Sequence, residues 1–278
     1  MAMVALICSL LFYGVGGEPD TIHVWFTPEK VREFADFLFQ DGDYLRAAGE
    51  YERYLILTGK TENQELLFTI GNCYLLAQQP ERARGYFSRI QGHLAEKANY
   101  QIARSYYLQG EYRRSLEHLL QYGNPEEKNF ITLMLKNHLF LKNFSEARRL
   151  VRQKPTGTEL DKLTLATAHL RYRSLPVAGV LSAIIPGLGK GYAGRWADAL
   201  FSFTVIGFTG FQAYDGFRRD RSRSVKGWIY GTLCLGFYVG NIWGSLVAVK
   251  QHNRRIEDQL LNQVKLTDSL STEEEHWH

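Results

Sequence analysis

Residues 71–87 read GNCYLLAQQPERARGYF, and the spacing within this stretch recurs along the first half of the chain. Small Gly71 is followed by large Tyr74, then by small Ala83 and large Phe87. The other three sets are Ala35, Leu38, Ala47 and Tyr51; Ala103, Tyr106, Ser115 and Leu119; and Leu135, His138, Ala147 and Val151. Their third members are separated by 36, 32 and 32 residues. Because small residues let helices cross closely, this spacing predicts four stacked helical hairpins over about residues 28–153.

The period and the turns between the paired helices resemble the tetratricopeptide repeat. The turns are expected at Gly42-Asp43-Tyr44, Gln79-Pro80-Glu81, Gly110-Glu111-Tyr112 and Asn143-Phe144-Ser145. The resemblance implies an all-α solenoid whose concave face binds a protein or peptide. A closing helix over about residues 161–173 would complete a repeat domain spanning 28–173. An unrelated helical bundle is the alternative interpretation.

The same resemblance implies which residues of the repeats face the groove. They are Phe68, Asn72, Leu75, Tyr100, Arg104, Tyr107, Thr132, Lys136 and Leu139. Spacings of four and three residues put each trio on one face of a helix. Asn72, Arg104 and Lys136 would form a polar-to-basic line that suits an acidic partner, although a solvated face explains these residues equally well.

The two ends of the chain have different characters. Residues 1–17 form an apolar run ending in small residues, which predicts a secretory signal, although no cation precedes it. An uncleaved N-terminal anchor is the alternative. Residues 251–278 form a polar tail whose His276 and His278 could bind a metal weakly, but a solvated end is the simpler interpretation.

Two apolar runs in the second half are long enough to cross a bilayer. They cover residues 196–214 and 227–249, and the second contains no charged residue. Together they predict a transmembrane helical hairpin after the solenoid. Gly236, Gly240 and Gly244 share one face of the second run, which favours close helix packing and a homo-oligomer formed through this glycine face.

Between the two runs lies a basic segment over residues 218–226. Its cations are Arg218, Arg219, Arg221, Arg223 and Lys226. Such an excess of cations is typical of a cytoplasmic loop that contacts anionic lipid headgroups. The net charge of +4 over 278 residues gives no reason to expect a nucleic-acid partner.

A short apolar segment over residues 175–188 precedes the first run and ends in a glycine-rich motif. The motif residues are Pro186, Gly187, Gly189, Tyr192, Gly194 and Arg195. They resemble the Pro-Gly-x-Gly-x-x-Tyr pattern of TM2-type bacterial membrane domains, with Lys190 in place of the usual Gln. That resemblance implies a membrane hairpin over residues 175–250. The segment is short for a crossing, which favours an interfacial or re-entrant position. The alternative is that it spans and residues 1–17 are no signal, which would place the repeats in the cytoplasm.

No pattern of catalytic residues stands out in the sequence. It contains no nucleophile with a plausible base and no metal-binding pair, so we expect neither an enzyme nor a cofactor. His138 occupies a repeat core position, which favours a structural role. The sequence therefore predicts a membrane-anchored adaptor that binds or assembles proteins at a bacterial-type envelope, in the inner membrane with the repeats outside. The alternative is an oligomeric component of a transport or protein-insertion system, with the repeats as its docking module.

Overall fold

The computed structural model describes residues 27–124 and 126–275, with side chains to residue 267. Over these residues the chain forms thirteen α-helices and no strand, which confirms the predicted all-α class. Two compact units meet at the bond between Thr156 and Gly157. The predicted signal at 1–17 and the two histidines of the tail lie outside the described residues.

The first unit consists of helices that pack as consecutive pairs. They are α1 (Pro28–Gln40), α2 (Tyr44–Thr58), α3 (Gln64–Leu76), α4 (Pro80–Phe87), α5 (Ala95–Leu108), α6 (Tyr112–Tyr122), α7 (Lys128–Phe140) and α8 (Phe144–Gln153). Each pair also contacts the next pair along the chain. The unit is therefore a row of helical hairpins, as the recurrent spacing predicts.

The four turns inside these hairpins have the same backbone geometry. Each places one residue in the left-handed region, namely Gly42 (φ +83°), Gln78 (+58°), Gly110 (+77°) and Lys142 (+59°). The next amide then donates to a carbonyl five residues earlier at 2.8–2.9 Å, from Asp43 to Leu38, Gln79 to Tyr74, Glu111 to Tyr106 and Asn143 to His138. This closure ends the first helix of each pair. The predicted turn positions are confirmed.

The small residues of the recurrent spacing lie where the paired helices meet. Ala47, Ala83, Ser115 and Ala147 are all completely buried. In the second hairpin Gly71 lies directly against the Phe87 ring, so that a Cβ on Gly71 would fall 2.6 Å from a ring carbon. The register predicted from the sequence is therefore the register of the fold.

The second unit contains the remaining helices. They are α9 (Glu159–Ala166), α10 (Leu175–Ile184), α11 (Leu188–Tyr192), α12 (Trp196–Asp220) and α13 (Val225–Glu275). The predicted closing helix corresponds to α9, which ends earlier than expected and is followed by a short 3₁₀ turn at Thr167–His169. It packs against α13, so the division between the units precedes this helix instead of following it.

Helix α10 and the glycine-rich motif form a reversal on the side of α13. At its start, the Arg173 amide donates to the Asn253 side chain; near its end, the Tyr238 hydroxyl donates to the Ala183 carbonyl. The chain then returns through α11, and Arg195 donates to Gln251. The stretch from Arg173 to Arg195 therefore begins and ends near the same part of α13, around its residues 251–253.

Helices α12 and α13 form an antiparallel pair connected by the basic segment. Gly210 lies beside Cys234 and Gly216 beside Gly227, so positions along the two helices run in opposite directions. Within the described part of the chain one helical stretch, Val225–Thr267, is long and apolar enough to cross a membrane, and it contains the predicted run 227–249. The other predicted run, 196–214, lies in α12 but does not reach the same apolar character.

Candidate functional sites

The nine predicted groove residues lie on α3, α5 and α7, the first helices of the second, third and fourth hairpins. Leu75, Tyr107 and Leu139 are buried, and Leu139 has no exposed surface at all. These three side chains therefore offer little or no surface to a partner within this fold. Helical spacing places a residue on a face, but it does not say whether that face is covered.

The aromatic groove residues are also used within the fold. The Phe68 ring packs against Phe87 at 5.5 Å and the Tyr100 ring against Phe130 at 5.3 Å. Thr132 donates its hydroxyl to the Lys128 carbonyl. These three residues are half-buried or exposed in part, but their main contacts are internal.

The polar line of the groove keeps solvent access at all three positions. Asn72, Arg104 and Lys136 are each half-buried and recur at intervals of 32 residues, in register with the hairpins. Because the hairpins repeat, one position recurring in each first helix lines one surface of the unit. This line is the candidate protein-binding site of the first unit.

A second polar feature joins the second and third hairpins. The Arg84 guanidinium donates to Ser105 at 3.2 Å and to Gln109 at 2.6 Å, and lies 4.3 Å from the centre of the Tyr106 ring. Arg84 therefore covers part of the half-buried Tyr106 ring. No local sequence pattern indicated this contact, because the partners are more than twenty residues apart.

His138 packs at the fourth hairpin without a hydrogen bond to its Nδ1 atom, and burial lowers its pKa. A neutral, half-buried imidazole agrees with the structural role expected from the sequence. Within residues 27–124 and 126–275 no three His, Cys, Asp or Glu side chains lie close enough to hold a metal ion.

In the second unit, the backbone conformation or a close contact explains why each of three positions in the Pro-Gly motif is occupied by glycine. Gly187 has a φ of +89°, and a Cβ there would lie 2.1 Å from the Ala199 carbonyl oxygen. A Cβ on Gly189 would lie 2.2 Å from the Ala178 oxygen. Gly194 also has a positive φ, of +83°. The motif is therefore the sequence of a tight reversal whose backbone touches α10 and α12.

Buried polar side chains hold this reversal against α13. The Gly187 amide donates to the Asn241 side chain at 3.1 Å, and Asn241 donates to the Ser182 carbonyl at 3.3 Å. The Ser182 hydroxyl accepts from the Gly189 amide and lies 2.6 Å from the Ser245 hydroxyl. All of these groups are buried, so the network fixes the position of the motif on α13.

The two ends of the reversal are joined through Arg173 and Tyr192. The Arg173 guanidinium donates to the Tyr192 carbonyl and lies 5.6 Å from the centre of its ring. The Tyr192 hydroxyl accepts from the Ser174 amide at 3.2 Å. Tyr192 therefore connects the end of the motif to the residues that precede α10. Arg195 instead forms an ion pair with Asp198 on α12 at 2.5 Å.

Two residues of the glycine face of α13 have no packing partner within their own unit. A Cβ on Gly236 or Gly240 would meet nothing within 4 Å, so neither residue lies against a helix of its own unit. Gly244 faces the Lys190 side chain, at 3.1 Å from Cβ to Cε. The expected close packing is made elsewhere, at Gly216 and Gly227 beside the basic segment. The open glycines instead line a pocket between α12 and α13.

The basic segment 218–226 is partly neutralised. Asp215 accepts from Arg219 at 3.0 Å and from Lys226 at 2.8 Å, and the hydrogen bond from Lys226 is the largest cause of its lowered pKa. Arg218, Arg221 and Arg223 are exposed. They remain the candidate contacts for anionic headgroups.

The surface of the second unit inverts the usual distribution of residue types. Large apolar side chains on three helices are exposed, including Val180, Ile184, Leu200, Phe201, Phe203, Phe208, Phe211, Ile229, Leu235, Val239 and Trp243. Its interior contains small and hydroxyl residues, among them Ala178, Ser182, Ala199, Ser202, Thr209, Asn241, Ser245 and Ala248. Large apolar side chains exposed in this number are typical of a surface that contacts a membrane or another protein.

Comparison with protein-family models found no match for this chain, and comparison with characterised proteins found none either.

Proposed function

We propose that the chain is a membrane-anchored adaptor. Its hairpin unit would bind a protein or peptide partner, and its second unit would hold it in the membrane of a bacterial-type envelope. The membrane anchor is supported by the distribution of residues in the second unit, in which large apolar side chains are exposed and small or polar ones are buried. Small residues and side-chain hydrogen bonds are what pack helices together in lipid.

The repeat unit supports the binding half of the proposal. Its four identical turns and its buried small residues agree with a tetratricopeptide-like solenoid. Solenoids of this kind offer extended concave surfaces to their partners. The half-exposed line of Asn72, Arg104 and Lys136 favours a partner with an acidic or carboxylate-terminated segment.

The reversal of residues 175–195 supports a re-entrant segment instead of a third crossing. Arg173 and Arg195 both contact α13 near its residues 251–253, so the chain would enter and leave the membrane on the same side. The repeats and the tail would then lie on one side, and the basic segment 218–226 on the other. This is the arrangement in which α12 and α13 are the two spans.

Cations occur at both ends of this hairpin and do not orient it by themselves. Opposite the basic segment lie Arg171, Arg173, Arg195, Lys250, Arg254 and Arg255. The bias toward positive cytoplasmic loops therefore acts on both sides. In the proposed orientation, with the repeats outside and the loop in the cytoplasm, the deciding feature is the signal-like sequence of residues 1–17.

Partner capture tests the adaptor proposal. We expect the double variant Arg104→Glu with Lys136→Glu to lose the partners that the wild-type chain retains after purification in mild detergent and mass spectrometry. The matched control is Lys97→Glu with Arg113→Glu, which makes the same charge change at exposed positions on α5 and α6. Retained capture by the first variant, with an unchanged melting temperature, would exclude the basic line as the binding site.

Cysteine labelling tests the orientation. Ser88 is exposed on the repeat unit, so Ser88→Cys gives a site for an impermeant thiol reagent. Cys73 can stay in place, because it is completely buried and burial raises the pKa of its thiol to about 12. We expect labelling in intact cells once any outer membrane is permeabilised. Labelling only after the inner membrane is broken would place the repeats in the cytoplasm.

The alternative function, an oligomeric transport or insertion component, has one observation in its favour. Gly236 and Gly240 are open and lie against no helix of their own unit, so a helix of a second copy could approach there. Cross-linking through Gly236→Cys in membranes distinguishes the two functions. A specific oligomer joined through this position favours the alternative, whereas a monomer that still captures partners favours the adaptor.

A further inference from the structure

A pocket of about 180 Å³ lies between α12 and α13, next to the Pro-Gly motif. This volume is far larger than the roughly 10–15 Å³ that one water molecule requires. One end is polar, formed by Lys190, Ser202 and Asn241. The remaining wall is apolar and includes Val205, Phe237 and the open glycines of α13. The pocket thus has distinct polar and apolar ends.

Lys190 brings a positive charge to the polar end without a matching carboxylate. Its ammonium donates to the Ser202 hydroxyl at 2.7 Å, and Ser202 in turn donates to the Asp198 backbone carbonyl. The Asp198 carboxylate pairs with Arg195 instead. Among the described residues no acid forms an ion pair with Lys190. An ammonium has three N–H donors, so two remain available to a ligand.

The glycine face of α13 creates the space for this lysine and for a ligand. The stem of Lys190 crosses α13 at Gly244, where any larger residue would displace it. Farther along the same face, Gly236 and Gly240 leave the pocket open to the surface. Ionisable groups in membrane segments are costly, and they commonly mark sites for ions or substrates.

The order of polar and apolar groups sets the orientation of a ligand. Gly244 and Asn241, beside Lys190, are nearer the end of the apolar run 227–249, just before the α13 residues that contact Arg173 and Arg195. Gly236 and Phe237 are nearer the middle of that run. A ligand would therefore point its charged group toward the nearer membrane surface and its apolar part toward the bilayer centre. The exposed ring of Phe237 (46 %), in the apolar wall of the pocket, suits a hydrocarbon chain.

We propose that this pocket binds the carboxylate of a single-chain fatty acid. The carboxylate would accept hydrogen bonds from Lys190, and the chain would leave past Gly240 and lie over Val205 and Phe237. The single cation and the small volume favour a carboxylate over the larger head and two chains of a phospholipid. The inference rests on the proposed membrane position of the second unit.

Binding of palmitate to the full chain, delipidated and purified in a neutral detergent, tests this site. We expect one palmitate per chain by native mass spectrometry, with affinity at least tenfold lower in Lys190→Met. Lys190→Arg should retain binding, because it keeps the charge. The matched control is Lys250→Met, at an exposed position of α13 outside the pocket.

A second variant fills the pocket without changing its charge. Gly240→Leu adds a side chain where no atom lies within 4 Å, so it should fold and lose palmitate. This variant tests the binding site even if Lys190→Met loses helicity or aggregates. Equal binding by wild type and Gly240→Leu would overturn the proposal.

Three ligand comparisons complete the test. Hexadecanol, which has the chain without the charge, should compete poorly; equal competition would reduce the site to an apolar groove. Stronger binding of phosphatidylglycerol, or of inorganic phosphate alone, would overturn the carboxylate assignment. Membrane fractionation separates this proposal from the proposed function. If the protein is integral to the membrane but does not bind palmitate, only the fatty-acid site is refuted. If the protein is released from membranes without detergent, the proposed membrane anchor is refuted as well.

Discussion

Adding one methyl group at Gly71 should destabilise the hairpin unit. A Cβ at this position would lie 2.6, 2.9 and 2.9 Å from three carbons of the Phe87 ring. Carbon atoms normally approach to about 3.5–4.0 Å, so one of the two must move by roughly 1 Å. Phe87 is almost completely buried and its ring packs against Phe68, which leaves it little room to retreat.

The magnitude follows from two opposing effects. Overpacking of a well-packed core costs about 1–3 kcal/mol. Replacing glycine by alanine within a helix contributes about 0.8–1.0 kcal/mol in the opposite direction. Gly49, inside α2, isolates the second effect, because a Cβ there meets nothing within 4 Å. Gly49→Ala should therefore raise the stability, and Gly71→Ala should fall below it by about 1–3 kcal/mol, the cost of the clash alone.

Urea and thermal unfolding of a fragment ending at Thr156, the boundary of the first compact unit, measure this difference. For a unit of this length a difference of 1 kcal/mol shifts the melting temperature by roughly 3–4 °C. The m-value should stay constant if both variants change only the native state. Equal stabilisation by both substitutions would mean that Gly71 does not face Phe87, and would refute the register of the second hairpin.

Further tests address other parts of the hairpin unit. Ala83→Leu should lower stability by about 1–3 kcal/mol, because Ala83 is completely buried where two helices cross; an unchanged melting curve would count against this crossing. Ser115→Ala removes the hydroxyl that accepts a hydrogen bond from the buried Asn137 amide at 2.8 Å. It should lower the free energy of unfolding, measured in urea, by about 1–3 kcal/mol. Ser115→Thr keeps a hydroxyl at this position and should lower it by less. Burial lowers the pKa of His138, so the unfolded chain binds its proton more readily. Stability should therefore decrease as pH falls below the ordinary histidine pKa of about 6.5, and His138→Phe should flatten that part of the pH profile.

Much of the first unit could be predicted because its signals are local. Helix ends depend on a few neighbouring residues, and all four turns close through the same contact between residues five apart. Two of the four left-handed positions are occupied by Gln78 and Lys142, which have no special preference for that conformation. The repeat period identified these turns although the residues themselves did not.

The groove was predicted less well, since exposure depends on contacts between distant residues. Asn72, Arg104 and Lys136 keep solvent access, but Leu139 on the same face is completely buried. Likewise the spacing of Gly236, Gly240 and Gly244 was visible in the sequence, yet only the fold shows that two of them are open and the third accommodates Lys190. A glycine row permits close approach without specifying what approaches.

The sequence by itself determined the all-α class, the hairpin register and the apolar run of residues 227–249. Each depends on helical periodicity, on turn conformations or on a continuous run of apolar residues, and all of these are properties of short segments. The tertiary structure decided that α9 belongs with α13, that residues 175–195 turn back, and that Lys190 reaches a pocket beside Ser202 and Asn241. These features arise where separate segments meet, and helical periodicity contains no information about which segments will do so.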